Sequence, residues 1–403
     1  MIFMKKILLL GGSEQQIIAI KTAKKMGLYT ILCDFLQDNP GQLYADKFYL
    51  ASTTDKEKIL GIAQEENIDG ILAYASDPAA PTAAYVAEKL NLPGNPYKSV
   101  DILCNKDKFR KFLKDNGFCT PVAKGYRFIE DALSDLNNNI FTYPVIVKPV
   151  DSSGSKGVSQ INSIEDADEK IINAFDKSRS KRIIIENFVY CKAYQIAGDG
   201  LSINGELVFK YFGNDHFKTH GIISFVPISA SFPCILDKGI QDKVHEEIQR
   251  LISLLGMKNC TYNFDIRVDS NNNVYLMEVA PRDGGNYIPQ IIKYATGVDL
   301  VECSIKMAIG ETPEIKEKIS PKGYWSYFAV HSLKSGNLKN LYISNDMNQN
   351  IVEKHIIKKP GDKIDSFHGS NATLGILLMK FETVDEMLDK MDNHEKWINV
   401  EVQ

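Results

Sequence analysis

Two carboxylates, Asp265 and Glu278, sit in neighbouring runs that read as a β-hairpin. Tyr262-Asn-Phe-Asp-Ile-Arg-Val268 and Val274-Tyr-Leu-Met-Glu-Val-Ala280 both alternate apolar and polar residues, and Asp269-Ser-Asn-Asn-Asn273 between them is turn chemistry. With a loop from Ser270 to Asn273, Asp269 pairs with Val274, and the same register sets Asp265 opposite Glu278. Like charges directly opposed on a sheet repel, so this pair calls for a cation. Hard carboxylate oxygens with coordination positions to spare suit Mg²⁺, with Mn²⁺ as an alternative, shared with the phosphates of a nucleotide. Taken alone, the pair reads more readily as two solvated carboxylates on an edge hairpin, and the rest of the chain has to reverse that.

Cations occur where a nucleotide would need them. Lys106 and Arg110 lie one helical turn apart on an amphipathic stretch whose apolar side carries Phe109, Phe112 and Leu113, so both are placed to reach one anion. Tyr143-Pro-Val-Ile-Val-Lys-Pro-Val150 is a β-branched strand with Lys148 inside it, and an ammonium there needs a counter-charge. Ser152-Ser-Gly-Ser-Lys-Gly-Val158 follows directly. Its glycines and small hydroxyls let backbone N–H groups point at phosphate oxygens, and Lys156 adds charge. It lacks the G-x-x-x-x-G-K-[ST] pattern of a Walker A loop. Arg182-Ile-Ile-Ile-Glu-Asn-Phe-Val189 is a further apolar strand, carrying Glu186 near its end, where exposed main chain can read an adenine edge.

The elements that must position these groups begin with a short buried-strand run, Ile7 to Leu10, followed by Gly11-Gly12. A helix over Gln16 to Met26, a strand over Tyr29 to Cys33, a helix opened by Thr54 and Glu57, a strand from Gly70 to Tyr74 and a helix from Ala79 to Leu90 come next. Alternation of this kind predicts a doubly wound parallel α/β domain over residues 1–100. Gly-Gly-Ser-Glu-Gln-Gln is not G-x-G-x-x-G, which argues against NAD(P) and for strand ends forming one wall of a substrate site, Asp77-Pro78 among them. After the hairpin, Asp283-Gly-Gly-Asn leads into helices ending near Gly310. Arg282 and the two glycine N–H groups are placed for a carboxylate or its acyl phosphate. Residues 311–322 read as a linker, and the strands Tyr324 to Val330, Leu338 to Ile343 and Leu374 to Phe381 with a last helix capped by Thr383 predict a small C-terminal α+β subdomain over 311–403.

Composition excludes several classes. The chain has 403 residues, 44% hydrophobic and 24% charged, with a net charge of −4, and its basic residues are dispersed. Nothing in it suggests a nucleic-acid or membrane surface. Seven cysteines without CxxC spacing argue against a disulfide framework and a zinc site, and predict a reduced, cytoplasmic protein.

Taken in order, these six elements resemble the ATP-grasp superfamily: Lys106 with Arg110, Y-P-V-I-V-K-P, S-S-G-S-K-G-V, I-I-E-N-F-V, the Asp265/Glu278 hairpin, and E-V-A-P-R-D-G-G. The resemblance covers nearly the whole chain. It implies an ATP-grasp fold over residues 101–310, two α+β subdomains sandwiching the nucleotide, with a lid at roughly 120–190. It further implies that Lys106 and Lys148 hold the ATP phosphates, that Ser153, Gly154, Ser155, Lys156 and Gly157 close over them, and that Glu186 and Val189 line the adenine. Asp265 and Glu278 would coordinate Mg²⁺, and Arg282 would stabilise an acyl phosphate. Two departures stand out. Ala193 replaces the glutamate that binds the ribose hydroxyls, with Asp199 as a substitute, and Ala280 replaces a metal-binding asparagine.

The expected reaction is ATP-dependent ligation of a small-molecule carboxylate and an amine through an acyl phosphate, because E-V-A-P-R-D-G-G-N-Y resembles the R-x-G-G ending of amino-acid ligases. The same E-x-A-P-R resembles purine-biosynthesis carboxylases and formate-using ligases, although their His-containing continuation is missing. A nucleotide-binding module without chemistry and a dehydrogenase are the readings from other classes. Lys210, His216 and Lys218 are candidate substrate contacts, and a homodimer is a candidate assembly. His331, His355 and His368 show no metal-ligand spacing and read as structural or exposed.

Overall fold

The computed structural model describes residues 4–217, 225–316 and 318–403. Four parallel strands form the N-terminal sheet, in the order Lys47–Leu50, Tyr29–Asp34, Lys6–Leu10, Gly70–Leu72. Period-two alternation puts Leu8 and Leu10 on one face, against the helices Lys56–Glu66 and Ala80–Lys89. Ile7 and Leu9 face the other way, against the helices Ile17–Lys25 and Leu300–Ala308. The second helix on that face comes from the far end of the chain. The core of this sheet also runs without a break into Phe109, Tyr262 and Phe264, so burial does not stop at residue 100. A ring as buried as Phe264 contributes on the order of 3–5 kcal/mol. One local expectation shifts by a residue. Asp55, not Thr54, caps the helix Lys56–Glu66, its carboxylate accepting from the Lys58 N–H at 3.1 Å.

The segment expected as a lid forms a four-stranded antiparallel sheet ordered Ala123–Tyr126, Ile183–Asn187, Val145–Pro149, Ser159–Ile161. Its outer face packs on the helices Ile129–Asn137 and Ala167–Lys177. Ile146, Lys148 and Glu186 lie on the opposite face, over the main sheet.

That main sheet has eight strands: Val274–Ala280, Cys260–Val268, Gln195–Ile203, Glu206–His216, Ser229–Phe232, Tyr324–Val330, Gly375–Phe381 and Ile351–Ile356. Tyr324–Val330 and Gly375–Phe381 were expected in a C-terminal subdomain, yet they continue the same sheet, and Ile351–Ile356, which was not expected as a strand, adds its edge. Tyr324–Val330 is apolar on both faces: Trp325, Tyr327 and Ala329 pack toward the helix Ile288–Thr296, while Phe328 and Val330 enter the C-terminal core. A strand buried on both faces needs neighbours on both edges, and Ser229–Phe232 supplies one. Gly336–Ile343 instead joins Lys363–Ile364 and Ile398–Val402 in a small separate sheet. The final helix Val384–Asp392 is capped as expected, Thr383 Oγ1 accepting from the Glu386 N–H at 3.1 Å. No helix of the described residues is long and apolar enough to cross a membrane.

Candidate active site

Asp265 does lie opposite Glu278, but by another route than the expected register. The turn spans residues 269–273, Val268 pairs with Val274, and the ladder runs in that register through Ile266 and Leu276. A β-bulge at Met277 then shifts it by one residue and restores the Asp265–Glu278 pairing. A bulge leaves backbone groups unpaired, and Arg110 supplies the missing donors. Its guanidinium donates to Leu276 O at 3.0 Å and Met277 O at 2.8 Å, and its Nε donates to Glu186 Oε2 at 2.9 Å. Lys106 and Arg110 therefore do not share an anion. Lys106 Nζ pairs with Glu278 Oε2 at 3.1 Å and donates to Ser152 O, where the Ser/Gly loop begins.

Glu186 is the counter-charge that the strand lysine needed. Lys148 and Arg110 both bind it, and all three are buried. Burial alone would raise the Glu186 carboxyl, but the two cations bring it down to about 2. Burial pushes Lys148 down to about 8 despite Glu186. With one Nζ proton spent on Glu186, two remain for phosphate oxygens. Lys148→Ala is expected to weaken ATP binding by about 1.5–3 kcal/mol, roughly ten- to a hundredfold, in nucleotide titrations. As pH rises through about 8, Lys148 loses its proton and ATP affinity should fall. Lys148→Arg, which stays charged, should flatten that decline; an equally steep loss in both proteins would refute the assignment.

One cavity of about 370 Å³ collects most of the expected site. Lys106, Lys148, Ser153, Gly154, Ser155, Lys156, Glu186, Asp265, Glu278 and Arg282 all line it. Gly157 and Val189 do not. Gly157 turns the loop at φ +76°, and the Val189 carbonyl accepts from Arg267 at 2.8 Å, so it is not an open edge for adenine. Ile146 and Met277 line that end instead. The Ser/Gly loop is held from two sides. Ser155 Oγ donates to Phe225 O at 2.6 Å, and the Ser370 N–H donates to Gly154 O at 3.2 Å. Gly154 is at φ +64°, a conformation L side chains rarely adopt, and a Cβ there would lie 2.0 Å from Ser370 Oγ, which would have to move. Arg282 is not open to the cavity on all sides. Its Nε and Nη2 grip Asp77 bidentately at 2.7 and 2.8 Å, and Asp77 belongs to the N-terminal domain.

Other expectations are corrected. Asp199 is fully buried outside the cavity, accepting from Asn263 Nδ2 at 2.9 Å and the Gly284 N–H at 2.8 Å, with burial raising it to about 6. It cannot serve a ribose, and it also removes the Gly284 N–H from any anion. His216 is buried between Asp392 and Ser231, at 2.7 and 2.8 Å, and Lys210 does not line the cavity. Lys218 lies outside the described residues. Sequence reasoning missed Gln195, Asp215, Asn263 and Arg267, all of which line the cavity. Asn263 and Arg267 were within reach of the alternation rule, since they share a strand face with Asp265. Asn263 lies directly across the ladder from Ala280. Gln195 and Asp215 oppose each other on two neighbouring strands, 2.8 Å from Gln195 Nε2 to Asp215 Oδ2, a pairing no local signal announces.

The donor set suits a divalent cation. Burial and the Glu278 charge push Asp265 up to about 7, which marks a carboxylate pair that a cation between them would stabilise. Among the described residues no three acidic, His or Cys side chains gather into a metal-sized cluster. Two protein carboxylates with the remaining positions left to phosphate and water is the arrangement Mg²⁺ favours.

Comparison with known proteins agrees with this geometry. A model of the ATP-grasp domain matches residues 141–290. The carbamoyl phosphate synthase large chain of Clostridium botulinum (strain Langeland) is 26% identical over 316 residues. That match covers 76% of this chain but only 27% of the larger protein. The formate-dependent phosphoribosylglycinamide formyltransferase of Prochlorococcus marinus is 24% identical over 400 residues, 97% of each chain. Among solved structures, an L-amino acid ligase from Bacillus licheniformis superposes with a TM-score of 0.81 at 21% identity, over 99% of both chains. A phosphoribosylglycinamide synthetase from Anaerococcus prevotii does so with 0.75 at 24% identity, over 100% of both.

Proposed function

We propose that this chain, which carries an ATP-grasp domain, is an ATP-dependent carboxylate–amine ligase whose substrates are amino acids. The observation that carries the reading is one cavity in which lid lysines, a carboxylate pair and Arg282 meet a second half that carries no cation among the described residues. That second half is walled by Ile288, Tyr327 and Phe367, with Gln15 and Asn286 at its polar rim. A phosphoribosyl substrate would need a further cation for its phosphate. Among the described lining residues, Lys106, Lys148 and Arg282 are ion-paired, and Arg267 is bonded to Gln195 and the Val189 carbonyl. Lys106 and Lys148 go to the nucleotide phosphates and Arg282 to the substrate carboxylate, and Lys156 lies on the loop beside the nucleotide, so none of these described cations is left for a second phosphate.

In this reading Lys148 and Lys106 hold the nucleotide phosphates, and the loop from Ser153 to Lys156 excludes water from the acyl phosphate, which would otherwise hydrolyse. Asp265 and Glu278 would hold Mg²⁺, which would supply charge neutralisation for phosphoryl transfer. Arg282 binds the substrate carboxylate and then the acyl phosphate by its planar fork. Positioning and electrostatics account for the catalysis, and no nucleophilic side chain is required.

The test is an amino-acid panel with Mg²⁺-ATP, read by ADP release and by mass spectrometry of condensed products. Dipeptide formation is expected; no amine-dependent ADP release with any pair would sink the reading. The second reading, a formate-using ligase acting on a phosphoribosyl amine, is favoured by the end-to-end match to the Prochlorococcus enzyme. Formate-dependent ADP release with such an amine would establish it in place of the first.

A further inference from the structure

The N-terminal sheet presents groups to the cavity that the mechanism above leaves unused. Open parallel sheets bind ligands outside the carboxyl ends of their strands, where the strand order reverses. Here the chain winds outward from Lys6–Leu10 through Tyr29–Asp34 to Lys47–Leu50, then returns to place Gly70–Leu72 on the other side of the first strand. The reversal therefore lies between Lys6–Leu10 and Gly70–Leu72. The segments leaving those two strands are the ones that carry Ser13, Gln15 and Asp77 to the cavity wall. Gln15 is fixed there by the Asn286 N–H, which donates to its Oε1 at 2.6 Å.

Asp77 is the acidic group of this wall. Of the other lining carboxylates, Glu186 is held by Lys148 and Arg110, and Glu278 by Lys106, while Asp215 and Asp265 stand on the main sheet. Asp77 and Arg282 neutralise each other across the domain boundary, both largely buried, with side chains 19% and 10% exposed. That balance changes during ligation. Once Arg282 turns its fork to an anionic acyl phosphate, Asp77 is left as a buried carboxylate facing the cavity, and a buried charge without a partner is costly. An incoming ammonium group restores the balance at the point where the attacking nitrogen has to stand.

We propose that Asp77, at the strand-order reversal, binds the ammonium group of the amine substrate and takes its proton, an assignment that rests on the ligase reading. In the step, the ammonium gives one proton to the Asp77 carboxylate, and the freed nitrogen lone pair forms the C–N bond at the acyl carbon. The C–O bond to phosphate breaks with its electron pair on the phosphate oxygen, and that phosphate carries off the second proton. The products are the amide, hydrogen phosphate and a protonated Asp77, which returns its proton to solvent.

Hydroxylamine separates the two halves of the reaction, because it is largely unprotonated at neutral pH and needs no base, whereas an α-amino group has a pKa of about 7.7–8.0. The full chain is incubated with Mg²⁺-ATP, ammonium chloride and an equimolar mixture of the twenty standard L-amino acids, with and without hydroxylamine. Asp77→Asn leaves Arg282 an amide oxygen to bond. It should lower the amide yield on the order of a hundredfold while hydroxamate falls at most a few-fold. Asp77→Glu, which keeps the carboxylate, should exceed Asp77→Asn in amide yield. Equal loss of hydroxamate and amide in Asp77→Asn would reduce Asp77 to a support for Arg282 and overturn the proposal. So would Glu and Asn variants of equal yield, an unaffected amide yield, or wild-type hydroxamate with no amide from any of these amines. Absence of wild-type hydroxamate from every carboxylate would instead remove the ligase reading itself.

Discussion

Glu278→Ala is expected to lower Mg²⁺-dependent ATP turnover by about a thousandfold, with the fold intact. The carboxylate stands directly across the ladder from Asp265, and the Met277 bulge exists in order to bring it there. A metal's charge stabilisation in phosphoryl transfer is worth several kcal/mol, and about 4 kcal/mol is a factor of roughly a thousand in rate. The side chain is 27% exposed, and Lys106, which loses this partner, keeps its bond to Ser152 O, so the stability cost is smaller than that of breaking the fully buried Glu186 network. Steady-state ADP release over a Mg²⁺ titration measures the effect, and circular dichroism checks the fold. Turnover unchanged at saturating Mg²⁺ would refute the metal assignment.

Glu186→Ala is the largest expected loss of stability, about 3–5 kcal/mol, because it leaves Lys148 and Arg110 buried without their shared carboxylate. The two cations outweigh the burial that would otherwise raise the Glu186 carboxyl, so the charged form stabilises the fold. Lys148→Ala should cost less, since Glu186 keeps Arg110. The sign with pH follows from the depressed carboxyl. In the wild type this contribution is present above pH 4.5 and is lost as pH falls toward 2; in Glu186→Ala that part of the acid sensitivity should vanish. Urea denaturation at neutral and acidic pH measures both. A midpoint for Glu186→Ala no lower than that for Lys148→Ala would show that the buried triad is not the organising charge network of the lid.

The link between these two predictions is Arg110, which bonds Glu186 with its Nε and the bulge carbonyls with its terminal nitrogens. Through it the lysine expected to hold phosphate and the strand expected to hold metal become one assembly. The sequence shows Arg110 only as part of a basic helical face, one turn from Lys106. Helical periodicity reports which residues share a face; it does not report what that face meets.

Where chemistry depends on residues close in the chain, the sequence by itself determined it. Alternation and turn residues place Asp265 on a hairpin strand facing Glu278, and a lysine in an apolar strand followed by a Ser/Gly loop places Lys148 and Ser153 to Lys156 together. Both follow from the period of a strand and the conformational freedom of a turn. Even there the pairing was reached through a turn and a bulge whose one-residue shifts cancel, because register depends on pairing that local propensity leaves open. Only the tertiary structure decided the long-range partners. It gave Arg282 to Asp77, 205 positions away, buried Asp199 under the Gly284 turn, and set Asn263 across from Ala280. It also fused the C-terminal strands to the main sheet. Such contacts are fixed by which surfaces must be buried together and which buried charges must be paired, and those conditions exist only once the whole chain has folded.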